Sequence, residues 1–267
     1  MSSLLSLISI FANLFGAAVV WRQRQAEAQT NHNLLWACWL IALVSHGALL
    51  TRQIFSPVGL NLSITLAFSS AFFMVSALLM ISTLKKPLRN LALVILPLSA
   101  LAIAITWMAP QLTRVPVPAS AGLGTHIFSS LLAYSILMVA AALALTLNFQ
   151  HRRLHSQQPL GAFKHFPTIQ DMETLLFLFI ILGVIFLSAS LVTGYLHVDQ
   201  IFGRGQLHKT ILSAVAWLVF VGLLIGRLTF GWRGPTAIRW TLWGFGLLAL
   251  AYFGSKLVRE VILAPSV

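Results

Sequence analysis

Runs of about twenty apolar residues recur along the chain and decide what it can fold into. Such a run is the length that an α-helix needs to cross the hydrocarbon core of a bilayer. Strands that cross a membrane would instead show short segments of alternating polarity. We therefore predict an all-α polytopic membrane bundle of eight transmembrane helices, forming one integral-membrane domain over residues 1–267. The spans are predicted at about 3–21, 33–50, 60–82, 89–108, 125–148, 173–195, 209–228 and 237–257.

The charge content excludes two other classes of protein. Charged residues make up only 8% of the chain, whereas soluble domains carry about 25%. The net charge of +12 would suit nucleic acid, but the basic residues are scattered singly between apolar runs and form no basic stripe. In a membrane protein, Lys and Arg instead report topology. We expect this chain to lie in the lipid bilayer and to have no nucleic acid as a partner.

The distribution of basic residues predicts the orientation. Eleven Lys and Arg residues fall in the connections after the first, third, fifth and seventh spans, and six fall on the other side. Cytoplasmic connections carry the excess of Lys and Arg. This places the first group in the cytoplasm and both termini on the external, periplasmic side.

Histidines near the external ends of the spans are the first candidates for a functional site. His126 opens the fifth span, and Ser130 and Tyr134 follow it along the same helical face. His46 lies about 20 Å along the second helix from Asn33, at a similar depth. Two such rings can ligate a metal or a haem iron, with the hydroxyls as partners of the ring. The alternative is an interfacial histidine that bonds only a carbonyl or water.

Most familiar catalytic patterns are absent from the sequence. The five acidic residues lie outside the spans or at their ends, and the only cysteine is Cys38. No phosphate-binding loop, zinc-protease motif or nucleophile elbow is present, so we predict no catalytic residue and no protein metal site apart from a haem iron. The serines of the third span, including Ser69 and Ser76, are expected to hold helices together.

Three stretches carry a resemblance to a known family: "HIFSSLLAYS", "HKTILSAVAWLVFVGLLIGRLTFGWRG" and "LALAYFGSKLVREVI". They resemble the integral-membrane cytochrome c assembly family, which includes the CcsA and ResC haem-handling proteins and the smaller HemX and YpjD proteins. The resemblance is strongest to the YpjD branch of bacterial inner-membrane proteins. It implies a multi-pass protein of the bacterial inner membrane that contacts non-covalent haem b and other cytochrome c assembly or inner-membrane proteins.

The resemblance also implies which residues contact haem. His126 matches a histidine of the family, His46 matches another less closely, and Ser130 and Tyr134 would support them. Weaker candidates for the same site are His197, His208, Lys209, Trp217 and Arg227. The segment "YLHVDQIFGRGQLHK" contains no tryptophan, so the tryptophan-rich loop that presents haem in the family is missing.

Two functional hypotheses follow. The first is a haem-binding or cytochrome c assembly accessory protein that performs no covalent catalysis. The second is a membrane transport protein, or a subunit associated with a transporter, that has kept the family fold without haem. In the second hypothesis Arg227 matters more, because a charge near the end of a span must pair with an acid, a carbonyl or an anionic lipid, or extend to the interface.

Overall fold

A computed structural model confirms an all-α polytopic bundle. It describes residues 2–25, 32–56, 59–60, 63–84, 88–108, 121–156, 168–197 and 207–254. These residues form eight α-helices, seven of which are long and apolar enough to cross a membrane. Most of the predicted connection over 109–124, part of the connection after the fifth span, and the end of the last span lie outside the described residues.

The helices divide into two compact units, Met1–Ala119 and Ser120–Val267. The first contains α1 (Ser2–Gln25), α2 (His32–Ile54), α3 (Ile64–Thr83) and α4 (Ala92–Met108). A two-residue antiparallel pair, β1 (Phe55–Ser56) and β2 (Gly59–Leu60), follows α2, and a 3₁₀ turn at Arg89–Leu91 precedes α4. Helix α1 packs on α2 and α4, and α3 packs on α2 and α4. The prediction of a single domain stays a prediction.

Hydroxyl groups join the helices of the first unit, as the sequence predicted. The Trp39 indole N–H donates to Ser76 Oγ at 2.8 Å, and Ser9 Oγ of α1 donates to the carbonyl of Ala42 at 3.2 Å. These groups are buried, where an unpaired polar group would be costly because no water reaches it. The expectation that serines of the third span join helices is confirmed.

The second unit contains α5 (Ala121–His155), α6 (Ile169–His197), α7 (Leu207–Phe230) and α8 (Pro235–Ala249). Helix α8 continues as a π-helical turn, Leu250–Gly254. Helix α5 packs most extensively on α6 and also contacts α8. Gly183 of α6 makes this close approach possible, because a Cβ atom there would lie 2.6 Å from Cγ of Leu137.

A tight turn joins α7 to α8 and fixes their antiparallel register. Gly231 and Gly234 adopt positive φ angles of 66° and 56°, which glycine reaches without steric cost. The Trp232 amide donates to the carbonyl of Gly226 at 3.1 Å, so the chain folds back over the end of α7. The carboxylate of Glu173 then accepts the amide of Gly234 at 2.7 Å and fixes the turn to α6.

Candidate functional site

His126 is held at the first turns of α5 by the neighbouring helix α6. Its Nδ1 atom lies 3.0 Å from the carbonyl oxygen of Ser190. A carbonyl can only accept a hydrogen bond, so Nδ1 must carry the proton and donate it. In the neutral ring, Nε2 is then the atom with the free lone pair. The ring is half-buried, and among residues 121–156, 168–197 and 207–254 the structure describes no hydrogen bond from Nε2.

A cluster of small residues on α6 lets the two helices approach around this ring. A Cβ atom at Gly194 would lie 3.0 Å from Cε1 of His126, so any other residue there would push the ring away from α6. One turn away, Ser129 Oγ lies 3.5 Å from Thr193 Oγ1. Small residues at a helix interface allow such close packing in membranes. The ring of His126 therefore fits against the backbone of α6.

Helix α7 and the π-helical turn add a cation and aromatic rings to the site. The ammonium of Lys209 lies 5.4 Å from the centre of the Tyr252 ring, and its positive charge is near enough to disfavour a charged His126 ring. Tyr252 in turn stacks on Tyr134, with ring centres 5.5 Å apart. We call His126, Ser190, Lys209, Tyr252 and Tyr134 the α5–α7 site.

Within the described part of the chain, the two predicted partners of His126, Ser130 and Tyr134, make other contacts and do not bond its ring. Ser130 Oγ donates to the carbonyl of Ile127 at 2.9 Å within α5. Tyr134 is buried among Phe245, Tyr252 and Phe253, whose ring centres lie 5.3–5.5 Å from its own. The acceptor from α6, Ser190, was not predicted. The sequence signal for it was the run of small residues "SASLVTG" over 188–194, which is typical of close helix packing.

His46 lies in the first unit and is fully enclosed, with only 1% of its surface exposed. Its Nε2 atom lies 2.8 Å from Ser69 Oγ, and its ring meets Phe73 edge-on at 5.4 Å. This contact joins α2 to α3. His46 and His126 belong to different units, and their shared role as haem ligands stays a prediction.

The weaker candidates are placed at both ends of the second unit. Trp217 donates its indole N–H to Ser188 Oγ at 2.8 Å and thereby links α7 to α6. The guanidinium of Arg227 lies 4.3 Å from the centre of the Phe177 ring, a cation–π partner that the sequence analysis did not name. His197 ends α6 and His208 lies in the first turn of α7, but their side chains lie outside the part of the chain that the structure describes.

The chemistry available at the α5–α7 site is that of one oriented imidazole beside a cation. Within the described ranges, no three His, Cys, Asp or Glu side chains form a group that could hold a metal ion by themselves. A single histidine can still provide one axial ligand to a metal that a planar macrocycle already coordinates. The bond from Nδ1 to a backbone carbonyl is the arrangement that orients ligand histidines in metal sites.

The fold and this site define a polytopic helical membrane protein with an oriented histidine near one end of its longest helix. Residues 34–263 match the family described as cytochrome C assembly protein. The chain belongs to that family. Inner membrane protein YpjD of Escherichia coli strain K12 is 30% identical over 229 residues, which cover 84% of this chain and 85% of that protein.

A more distant relative carries a more specific name. Cytochrome c biogenesis protein CcsA of Prochlorococcus marinus strain MIT 9515 is 22% identical over 161 residues, which cover 52% of each chain. No solved structure matches this chain. The resemblance stated from the sequence is therefore confirmed at the level of the family.

Proposed function

We propose that this chain is a haem-binding accessory protein of cytochrome c assembly in the bacterial inner membrane, with His126 as a ligand of the haem iron. Membership of the cytochrome c assembly family supports a broad role in cytochrome c biogenesis and haem handling. Its relative YpjD is an inner membrane protein, and seven helices of this chain are suited to crossing a membrane. The proposal adds haem b as cofactor and His126 as ligand.

One observation carries the choice of His126. Its Nδ1–H donates to the carbonyl of Ser190, which leaves the Nε2 lone pair for a metal and fixes the plane of the ring. The side chain is also accessible, because it is only half-buried. A ligand that must be reached from outside needs both properties. The residues present therefore fit haem iron at this position.

In the proposal, Lys209, which lies over the Tyr252 ring, binds a propionate group of haem. Haem b carries two propionate groups, and an ammonium attracts such anions strongly where water is scarce. Lys209 already interacts with both His126 and the Tyr252 ring, so it would hold a propionate while His126 holds the iron. The aromatic rings around Tyr134 would exclude water beneath the site.

His46 has a smaller part in this proposal. Its Nε2 is engaged with Ser69 and the ring is enclosed between α2 and α3, so haem would require the two helices to separate. We expect replacement of His46 to weaken the packing of the first unit before it affects haem. The transport hypothesis stays an alternative, and no contact among the described residues favours it specifically.

The test is an absorption spectrum of the purified full chain in detergent, as isolated and after addition of haemin. We expect a Soret band in the wild-type protein that is lost in His126→Ala. His151→Ala is the matched control: this histidine lies on the same helix, about 37 Å from His126 at 1.5 Å per residue. A wild-type protein that is colourless and binds no added haemin would contradict the proposal, as would an equal loss in both variants.

A further inference from the structure

A cavity between α7 and α8 lies outside the α5–α7 site and has no assigned role. Its volume is about 390 Å³, and its lining residues are Val219, Thr236, Arg239, Trp240 and Trp243. This volume falls within the range of small-molecule sites, roughly 300–1,000 Å³. We call it the α7–α8 cavity.

The polar groups of the α7–α8 cavity are hydrogen-bond donors. Arg239 carries a guanidinium, Trp240 and Trp243 carry indole N–H groups, and Thr236 carries a hydroxyl; of these, only the hydroxyl can also accept. Within the part of the chain that the structure describes, none of these groups has a hydrogen-bond or ion-pair partner. No carboxylate lines the cavity. These donors suit the acceptor oxygens of an anion.

The lining changes from polar to apolar along the helices. Thr236 and Arg239 lie within the first five residues of α8, whereas Trp243 lies about 10 Å beyond Thr236 at 1.5 Å per residue. Val219 lies eleven residues before the end of α7, so it reaches a similar depth, about 16 Å from that end. One end of the cavity therefore lies where the helices end, and the other lies within the span.

The wall of the cavity is fixed by close packing. A Cβ atom at Gly222 of α7 would lie 3.3 Å from the ring of Trp240, so glycine at this position lets the indole pack closely against the helix. Trp232 covers the same indole, with ring centres 5.0 Å apart. By contrast, Trp243 is 73% exposed and faces the surroundings of the bundle. The cavity is thus a groove with the packed indole of Trp240 in one wall and the exposed indole of Trp243 at its open side.

The distribution of Lys and Arg predicts that this end of α7 and α8 is cytoplasmic. There, the ends of the spans lie at the depth of the phospholipid headgroups. Arginine binds phosphate oxygens through its planar, forked guanidinium, and tryptophan is favoured at this depth. A molecule with an anionic phosphate at one end and a hydrocarbon chain at the other fits the polar and apolar ends of the groove.

We propose that the α7–α8 cavity binds one anionic glycerophospholipid, with its phosphodiester at Arg239 and Thr236 and an acyl chain along Trp243 and Val219. The site selects headgroups of net negative charge, because zwitterionic headgroups present an ammonium group to the same arginine. This proposal does not rest on haem binding. It assigns a lipid site to the second unit whatever the α5–α7 site holds.

Native mass spectrometry of the purified full chain tests this assignment. The delipidated protein is titrated with phosphatidylglycerol and, separately, with phosphatidylcholine of the same acyl chains. We expect tighter binding of phosphatidylglycerol, and a drop of at least about tenfold in Arg239→Gln, as expected when a charge-assisted contact is lost. The matched control is Arg233→Gln, because Arg233 is exposed in the turn between α7 and α8 and does not line the cavity.

Two further variants and one competitor decide how the lipid is held. Arg239→Lys keeps the charge without the fork, so phosphatidylglycerol is expected to bind with intermediate affinity. Trp243→Ala should weaken binding of long-chain but not of dihexanoyl phosphatidylglycerol. Equal binding of the two lipids, or an equal loss in Arg233→Gln, would overturn the proposal. So would displacement of the lipid by millimolar inorganic phosphate, since the site would then be one for free phosphate.

Discussion

Replacing Gly194 with alanine should crowd the Cε1 and Nδ1 atoms of His126 more than Nε2, the proposed iron-binding atom, which would lie 3.8 Å from the new Cβ atom. The new Cβ atom would lie 3.0 Å from Cε1 and 3.2 Å from Nδ1 of His126. Carbon atoms are in optimal contact at about 3.5–4.0 Å, so the ring must retreat by roughly 0.5 Å. Gly194 and Ser190 are both on α6. Because the ring is pushed away from α6, we expect its 3.0 Å bond to the carbonyl of Ser190 to lengthen.

The size of the effect follows from this geometry. An N–H···O bond is formed at about 2.7–3.2 Å, so a displacement of this size along the bond from His126 to Ser190 would break it. Losing one such bond costs about 0.5–1.5 kcal/mol, which corresponds to about two- to tenfold in the affinity for haemin. We expect the loss in affinity, measured by titration of the Soret absorbance, to fall in this range for Gly194→Ala.

Gly124→Ala is the control for this experiment. Gly124 lies on α5 two residues before His126, and a Cβ atom there would meet no heavy atom within 4 Å. Both replacements remove a glycine from a helix, which stabilises a helix interior by about 0.5–1 kcal/mol, so only the contact with the ring differs. If folded Gly194→Ala binds haemin as tightly as Gly124→Ala, the bond to Ser190 does not prepare His126 for iron, and the reasoning fails.

Two stability predictions test the packing that positions the site. Gly183→Ala displaces Leu137 from a fully buried position and should destabilise the packing of α5 on α6 by about 1–3 kcal/mol, measured as a lower midpoint of thermal unfolding in detergent. The control is Gly246→Ala, whose new Cβ atom meets nothing within 4 Å and should not lower the midpoint. Equal midpoints in the two variants would contradict the described packing. Glu173→Ala removes the acceptor of the Gly234 amide and should lower the free energy of unfolding by about 1.5–3 kcal/mol, the value for a hydrogen bond to a charged group. An unchanged midpoint would show that the turn between α7 and α8 is stable without Glu173.

The helices themselves were predictable, because membrane spans follow from hydrophobic length alone. The starts of α3 and α4 agree with the predicted spans within a few residues. Helix α5 is longer than its predicted span, reaching from Ala121 to His155, because its last turns are polar and hydropathy does not detect a helix that continues beyond the membrane. Such an extension depends on packing against a neighbour rather than on transfer into lipid.

One residue of the α5–α7 site could be predicted from the sequence, but its contacts could not. His126 attracts attention because an ionisable group at the edge of a span is costly. Its acceptor Ser190 lies 64 positions away, and only the packing of α5 on α6 brings the two together. Ser130, four residues from His126, was expected to be a partner, but serine in a membrane helix readily bonds a carbonyl of its own preceding turn. Ser130 does so with Ile127.

Ligation of haem iron by His126 is tested most directly by imidazole rescue in His126→Gly. We expect this variant to lack the Soret band of the wild-type protein, and added imidazole to restore it by occupying the space of the missing ring. This restoration would separate a ligand from a residue that only packs α5 on α6. A His126→Gly spectrum identical to that of the wild type, with or without imidazole, would contradict the assignment.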